Sequence, residues 1–234
     1  MVNFQKILLV DDHPLIVEAY RSALLQLQQQ SGSYEFSIDE ACDLDTAYGS
    51  IKRNAMLLNS SDEQSSVPYQ LLIIDLKLPV SHDKKLLCGE DLALKAREYL
   101  PKAKIIIATS YDDNFRLNNI LKKINPEGLI LKSDIDIRDL TFAISSVLNN
   151  IPYYSRTVLK LIQKRLSQSF HIDDLDVRIL YELSLGTKTK DLPTSIPLSC
   201  TGIEKRKRHL KEIFDVLHAD DRELLEVARE KGFI

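Results

Sequence analysis

Over the first 150 residues, short runs of β-branched and aliphatic side chains alternate with stretches of helical spacing. The runs fall at residues 6–10, 36–40, 71–75, 104–109 and 128–131. Between and after them, apolar residues recur three or four positions apart, which gathers them on one helix face. Leu15, Ala19, Ala23 and Leu27 mark the first such stretch, and Leu44, Ala47 and Ile51 the second. Leu92, Ala96 and Leu100 mark a third, Leu117, Ile120 and Ile124 a fourth, and Leu140, Ile144 and Leu148 a fifth. Pro14 suits a first helical turn, and Pro101 and Pro126 suit ends. Five strands alternating with five helices predict an α/β domain with a doubly wound, five-stranded parallel sheet. The runs LLII and KIIIA are apolar nearly throughout, as strands covered on both faces are.

After Asn150 the pattern changes. Residues 151–155 (IPYYS) break the helix, and 156–169 read as an amphipathic linker carrying Val158, Leu161, Ile162 and Leu166. From residue 172 onward there is no strand signal, and Gly186, Pro193, Pro197 and Gly202 punctuate helical stretches. The division expected is 1–150, a partly helical linker at 151–171, and a small all-α domain at 172–234. Two stretches read as surface insertions. One is polar, at 59–68; the other, at 80–88, lengthens the loop after the third strand and could cover or reshape a site there.

Composition excludes several classes. Hydrophobic residues make up 44% and charged residues 28% of the 234, an ordinary globular balance. No apolar run approaches the ~20 residues that span a bilayer. The short apolar stretch at the start ends in two carboxylates, unlike a secretory leader. Cys42, Cys88 and Cys200 match neither a disulfide framework nor a metal-ligand spacing, so a cytoplasmic protein is expected. His13, His82, His171, His209 and His218 are scattered and read as surface or turn residues. The net charge of -3 gives no overall pull toward nucleic acid, so any such signal must be local.

Chemistry is expected at the carboxyl ends of the strands, where open α/β sheets bind ligands. The first strand ends in Asp11-Asp12, the third in Asp75, the fourth in Thr109-Ser110 and the fifth in Lys132. A lone Asp after a strand is usually a cap or turn residue. Three carboxylates, a hydroxyl and an ammonium on one sheet edge are another matter. Clustered carboxylates repel, so the set calls for a cation, and hard oxygen ligands beside a phosphate site favour Mg²⁺. A carboxylate beside such a metal can be phosphorylated, with the metal neutralising phosphoryl charge and Thr109 and Lys132 holding the other oxygens.

Over residues 3–150 the chain resembles the receiver domains of two-component response regulators. ILLVDDHPLI, LLIIDLKLP around Asp75, IIIATS and GLILKSD around Lys132 carry the resemblance. It implies a flavodoxin-like strand order 2-1-3-4-5, with Asp75 as phosphoacceptor. It further implies Asp12 as direct Mg²⁺ ligand, Asp11 acting through metal-bound water, and the Lys77 backbone carbonyl as a further ligand. Thr109 would sense the phosphoryl group, Lys132 would pair with it, and Pro79 fits the pattern. Three positions depart from it. Leu129 stands where an aromatic switch residue is common, Ser133 replaces the usual Pro, and the loop glycine is Gly89, displaced by the 80–88 insertion.

The densest positive run is Lys205-Arg206-Lys207-Arg208-His209, extended by Lys211. Ile203, Leu210, Phe214 and Leu217 give it one buried face, and Ser199 stands as N-cap. Residues 172–234 hold 11 Lys and Arg against 13 Asp and Glu, so positive charge is concentrated on one helix, as insertion into a DNA groove requires. A helix at 174–185, a short one at 188–195 and a turn before the basic helix give the order of a helix-turn-helix. The segment 172–234 resembles the LuxR-type output domain, with Gly202 in place of a usual Thr. Base-edge readers are expected among Glu204, Lys205, Lys207 and Arg208, with Arg206 in the same basic run. Phosphate contacts are expected from Lys188, Lys190 and Lys211.

The reading that follows is a regulator phosphorylated on Asp75 by a sensor histidine kinase. Its partners would be promoter DNA, a second copy of itself when phosphorylated, and RNA polymerase, with no membrane. No enzymatic activity is expected beyond gain and loss of the phosphoryl group. The alternatives are a signalling adaptor whose C-terminal domain binds protein, and a phosphorylation-independent regulator whose receiver serves only to dimerise.

Overall fold

A computed structural model of the chain describes residues 2–58, 67–166, 172–218 and 220–234. The polar insertion expected at 59–68 lies outside these but for its last two residues, as do the end of the expected linker, 167–171, and His171. The chain divides into two compact units, Met1–Asp112 with Asn119–Val158, and Asp113–Asn118 with Leu159–Ile234.

In the first unit the apolar runs form β1 (Asn3–Val10), β2 (Tyr34–Ala41), β3 (Tyr69–Asp75), β4 (Lys104–Thr109) and β5 (Gly128–Leu131). They alternate with α1 (Pro14–Ser31), α2 (Leu44–Leu58), α3 (Gly89–Tyr99), α4 (Asn114–Lys123) and α5 (Ile137–Leu148). Pro14 opens α1, where a missing N–H costs nothing, and Gly32 closes it with φ 57. All strands are parallel, in the order β2-β1-β3-β4-β5-β6. The sheet therefore has six strands where the sequence predicts five. Tyr153–Tyr154, expected only to break a helix, runs beside β5 as β6. Its flanks take up the open β5 edge: Tyr153 N–H donates to the Glu127 carbonyl (2.9 Å) and Ser155 N–H to that of Leu129 (3.0 Å).

Alternation along the strands builds two apolar layers. Ile7, Leu9, Leu71, Ile73, Ile106, Ala108 and Ile130 pack on Tyr20, Ala23, Leu24 and Leu27 of α1 and on Leu140, Ala143, Ile144 and Val147 of α5. Leu8, Val10, Leu72, Ile74, Ile105, Ile107 and Leu129 point the other way and are equally buried. Because β2 and β3 flank β1 on opposite sides, the topological switch point lies at the carboxyl ends of β1 and β3.

The linker helix α6 (Arg156–Leu166) is followed by α7 (Asp174–Ser184), α8 (Cys200–Ile213) and α9 (Asp221–Glu230). The short helix expected at 188–195 is only a 3₁₀ turn, Leu192–Thr194. Pro193 lacks the N–H that a longer helix would need. Val177, Leu180, Leu210, Phe214, Leu224, Ala228 and Phe233 form one small core, and Ile179, Leu183, Leu192, Ile196 and Ile203 another. Asp173 caps α7 in a reciprocal box with Asp176, Ser199 caps α8 and Asp220 caps α9. Leu217, expected on the buried face of the basic helix, lies beyond its end and is exposed. Among the described residues, no helix is long and apolar enough to cross a membrane.

Candidate functional site

The strand ends bring the expected residues together at the switch point. Asp11 follows β1, Asp75 closes β3, Thr109 closes β4, and Lys132 follows β5, its N–H donating to the Thr109 carbonyl at 2.8 Å. Asp11, Asp75 and Thr109 are buried although each is polar. Lys132 Nζ compensates the carboxylates: it donates to Asp11 Oδ2 at 2.7 Å and lies 3.2 Å from Asp75 Oδ1. Asp11 also accepts from the His13 backbone N–H (3.0 Å) and from the Tyr20 hydroxyl (3.3 Å). Thr109 Oγ1 accepts from the Tyr111 N–H at 3.0 Å, which orients the hydroxyl.

The cluster is short of donors. Asp75 Oδ1 and Asp12 Oδ1 are buried without a hydrogen-bond partner among the described residues, although each has a nitrogen nearby. Lys132 is an ionic neighbour of Asp75 rather than an aligned donor. Burial pushes the Asp75 carboxyl above its ordinary value; Lys132 opposes this and Asp11 adds to it. Burial and the Asp11 charge likewise push the Tyr20 hydroxyl up. Donor atoms of Asp11, Asp12, His13 and Asp75 all lie within 4.8 Å of one another. Unsatisfied buried carboxylate oxygens converging on one point are what a hard divalent cation such as Mg²⁺ requires.

Two loops shape the approach. Gly89, the first residue of α3, donates its N–H to the Leu76 carbonyl at 3.1 Å. The 80–88 insertion folds on itself: buried Ser81 accepts the Leu86 N–H on its hydroxyl (3.0 Å), and Lys84 turns the chain with φ 55. His82 pins the insertion to the first turn of α2, its N–H lying 3.0 Å and its Nδ1 2.6 Å from Asp45 Oδ2. Lys77 is exposed and its amide helps hold the Asp75 carboxylate. Leu129 is fully buried in β5.

Asp134, two residues beyond Lys132, is a structural tie that the sequence did not single out. It accepts from Ser155 Oγ (2.8 Å), Thr157 N–H (2.7 Å) and Thr157 Oγ1 (2.9 Å) at the start of α6. Burial works against its charged form, but these donors hold its carboxyl below the ordinary value. Ser155 just before α6 and Thr157 in its first turn were the available signal.

In the C-terminal unit α8 sorts the basic run into two sets. Thr201, Glu204, Lys205, Arg208 and His209 form an exposed stripe, and Lys188 and Lys190 are exposed in the preceding turn. Arg206, Lys207 and Lys211, expected to meet DNA, are held elsewhere. Arg206 lies 2.8 Å from both Asp173 and Asp176 of the α7 cap. Lys207, its side chain 7% exposed, donates to Asp221 (2.8 Å) and Thr189 (2.9 Å), and Lys211 lies 3.5 Å from Asp221. Lys207 is buried, while Arg206 and Lys211 are partly exposed, and all three pair with carboxylates of the neighbouring helices.

No protein-family profile matches the chain. The oxygen regulatory protein NreC of Staphylococcus haemolyticus (strain JCSC1435) is 24% identical over 241 residues, covering 98% of this chain and 99% of NreC. RcsB of Salmonella enterica serovar Typhimurium, bound to promoter P1flhDC in the presence of the phosphomimetic BeF3-, superposes with a TM-score of 0.56 at 18% identity. That superposition covers 99% of this chain and 100% of RcsB. A second RcsB–DNA complex, described as that of a two-component response regulator, gives a TM-score of 0.56 at 20% identity, over 97% and 98% of the two chains. The likeness runs through both units and shows a shared fold, a doubly wound α/β domain followed by a small helical domain.

Proposed function

We propose that the protein is a cytoplasmic transcription regulator that accepts a phosphoryl group on Asp75 from a sensor histidine kinase, and that phosphorylation controls its binding to promoter DNA as a dimer. One observation carries the reading: a buried Asp75 oxygen without a hydrogen-bond partner among the described residues, set among two further carboxylates and one lysine at the switch point of the sheet.

The residues divide the work. An Asp75 oxygen bonds to phosphorus as the bond to the donor's imidazole nitrogen breaks, leaving an acyl phosphate. Mg²⁺, held by Asp12, Asp75 and the Lys77 carbonyl, with Asp11 acting through water, would supply charge neutralisation for the phosphoryl oxygens. Lys132, already between Asp11 and Asp75, turns its ammonium to a phosphoryl oxygen, and the Thr109 hydroxyl donates to another. These contacts exist only in the phosphorylated state, so they shift the population toward the DNA-binding form. Leu129 cannot act as an aromatic switch, so the change at Thr109 is transmitted by aliphatic packing. Apart from gain and loss of this phosphoryl group, the chain has no enzymatic role.

On DNA, the exposed Lys205 and Arg208 read or grip the groove, with Lys188 and Lys190 on phosphates. A dimer would place two such helices on two half-sites, where contact with RNA polymerase would follow. The test is the affinity of full-length protein for genomic fragments with and without a small phosphodonor. Tightening in wild type and none in Asp75→Asn supports the proposal; equal binding in all four conditions refutes it.

A further inference from the structure

Beside the carboxylates stands a side chain that the phosphoryl chemistry does not use, the imidazole of His13. Its Nδ1 lies 2.7 Å from Asp12 Oδ1 and 3.4 Å from Asp11 Oδ1. The Asp12 contact is not an aligned hydrogen bond, since Asp12 Oδ1 is buried and without a partner among the described residues. Asp75 Oδ1, on a side chain 2% exposed, is in the same condition. An ion that holds nitrogen and carboxylate oxygen at about 2.0–2.2 Å sets tetrahedral neighbours about 3.4 Å apart, which is the separation of His13 Nδ1 from Asp11 Oδ1; Asp12 Oδ1, at 2.7 Å, would draw back to join them.

We propose that His13 Nδ1 is a further protein ligand, through which this cluster takes a borderline transition-metal ion of the Zn²⁺ and Co²⁺ class in competition with Mg²⁺. The proposal rests on the reading of the same carboxylates as the Mg²⁺ site. Carboxylates alone suit Mg²⁺, which keeps several waters and gains little from imidazole. An added imidazole favours Zn²⁺ and its neighbours. His13 is free to serve: its side chain is 61% exposed, and it sits at the N-cap of α1 without making a side-chain capping bond. A Zn²⁺-class ion held by Asp11, Asp12, His13 and Asp75 would leave few positions open to phosphoryl oxygens. Phosphoacceptance would then depend on which metal is present.

The experiment uses tag-free full-length protein, titrated with ZnCl2 against a chelating indicator, with CoCl2 by visible absorption, and with MgCl2 by calorimetry. Wild type is compared with His13→Ala and Asp75→Asn. The expected result is that His13→Ala weakens Zn²⁺ and Co²⁺ binding by about tenfold or more, dims the Co²⁺ bands, and leaves Mg²⁺ affinity within about twofold. Retained Mg²⁺ binding also reports that the variant is folded. If His13→Ala binds Zn²⁺ as wild type does while Mg²⁺ still binds in an Asp75-dependent way, His13 is no ligand and the Mg²⁺ reading stands. If His13→Ala weakens Mg²⁺ as much as Zn²⁺, the proposed selectivity is wrong. If Asp75→Asn alters the binding of neither metal, both readings fall.

Discussion

Gly89 leaves no room for a side chain against Asp75: a Cβ built on it would stand 2.0 Å from the Asp75 carbonyl oxygen and 2.9 Å from the Leu76 Cα. Both obstacles are backbone, so neither can swing aside. The first turn of α3 is thereby pressed on the strand end that carries Asp75. Gly89→Ala is expected to destabilise the protein by about 1–3 kcal/mol and to lower phosphoryl acceptance, because the β3–α3 junction must shift. Denaturant unfolding and labelling with a small phosphodonor check both halves. A variant as stable and as readily labelled as wild type would show that the junction yields freely.

Lys132 Nζ lies within reach of both Asp11 and Asp75. Lys132→Ala should cost up to about 3 kcal/mol without Mg²⁺, since two buried carboxylates then face each other uncompensated. Adding Mg²⁺ should recover more stability in the variant than in wild type, measured as the shift of the thermal midpoint on metal addition. Equal shifts would show that Lys132 does not share the work of a bound cation.

The basic helix separates exposed charge, proposed to meet DNA, from charge that braces the fold. Lys205→Ala and Arg208→Ala should each lower the slope of log affinity against log salt by about one. Lys207→Met should leave that slope unchanged and lower stability instead, because Asp221 loses the ammonium 2.8 Å away. A fall in slope for Lys207→Met would mean that the helix presents a different face to DNA.

Asp221 also sets a pH dependence. Burial works against its charge, but the Lys207 hydrogen bond and charge, with Lys211, hold the carboxyl below its ordinary value in the folded state. A depressed folded value contributes stability that is present above the unfolded value of about 4 and lost as pH falls through the folded one. The C-terminal unit should therefore weaken in that acid window, and Asp221→Asn should flatten the dependence there. Amide exchange in α8 of the full-length protein, followed from neutral to acid pH, reads it.

Asp134 ties the loop after Lys132 to the start of α6. Asp134→Ala removes the acceptor of three hydrogen bonds. Faster exchange of the Thr157 amide is expected, with the amides of β1 and β3 unchanged. Protection equal to wild type would mean that the tie does not hold α6.

The cluster at the strand ends was readable because its residues close apolar runs. An Asp after LLII can only stand at a strand end, and parallel order then brings Asp11, Asp75, Thr109 and Lys132 to one edge. β6 escaped because two residues carry no period, and its evidence is backbone pairing to β5. The inward turn of Lys207 could have been read: Ile203, Lys207, Leu210 and Phe214 lie three and four apart on one stripe. A run of like charges drew attention away from that spacing. His13, read as a surface or turn residue, is indeed exposed at the N-cap of α1, and its nearness to Asp75 is spatial and leaves no interval along the chain.

The claim that Asp75 is the phosphoacceptor is tested most directly by the mass of its peptide. Full-length protein is incubated with Mg²⁺ and acetyl phosphate, trapped and digested. One added phosphoryl group on the peptide containing Asp75, absent with EDTA and absent in Asp75→Asn, is the predicted result. Equal labelling of Asp75→Asn, or a phosphoryl group confined to another residue, would contradict it.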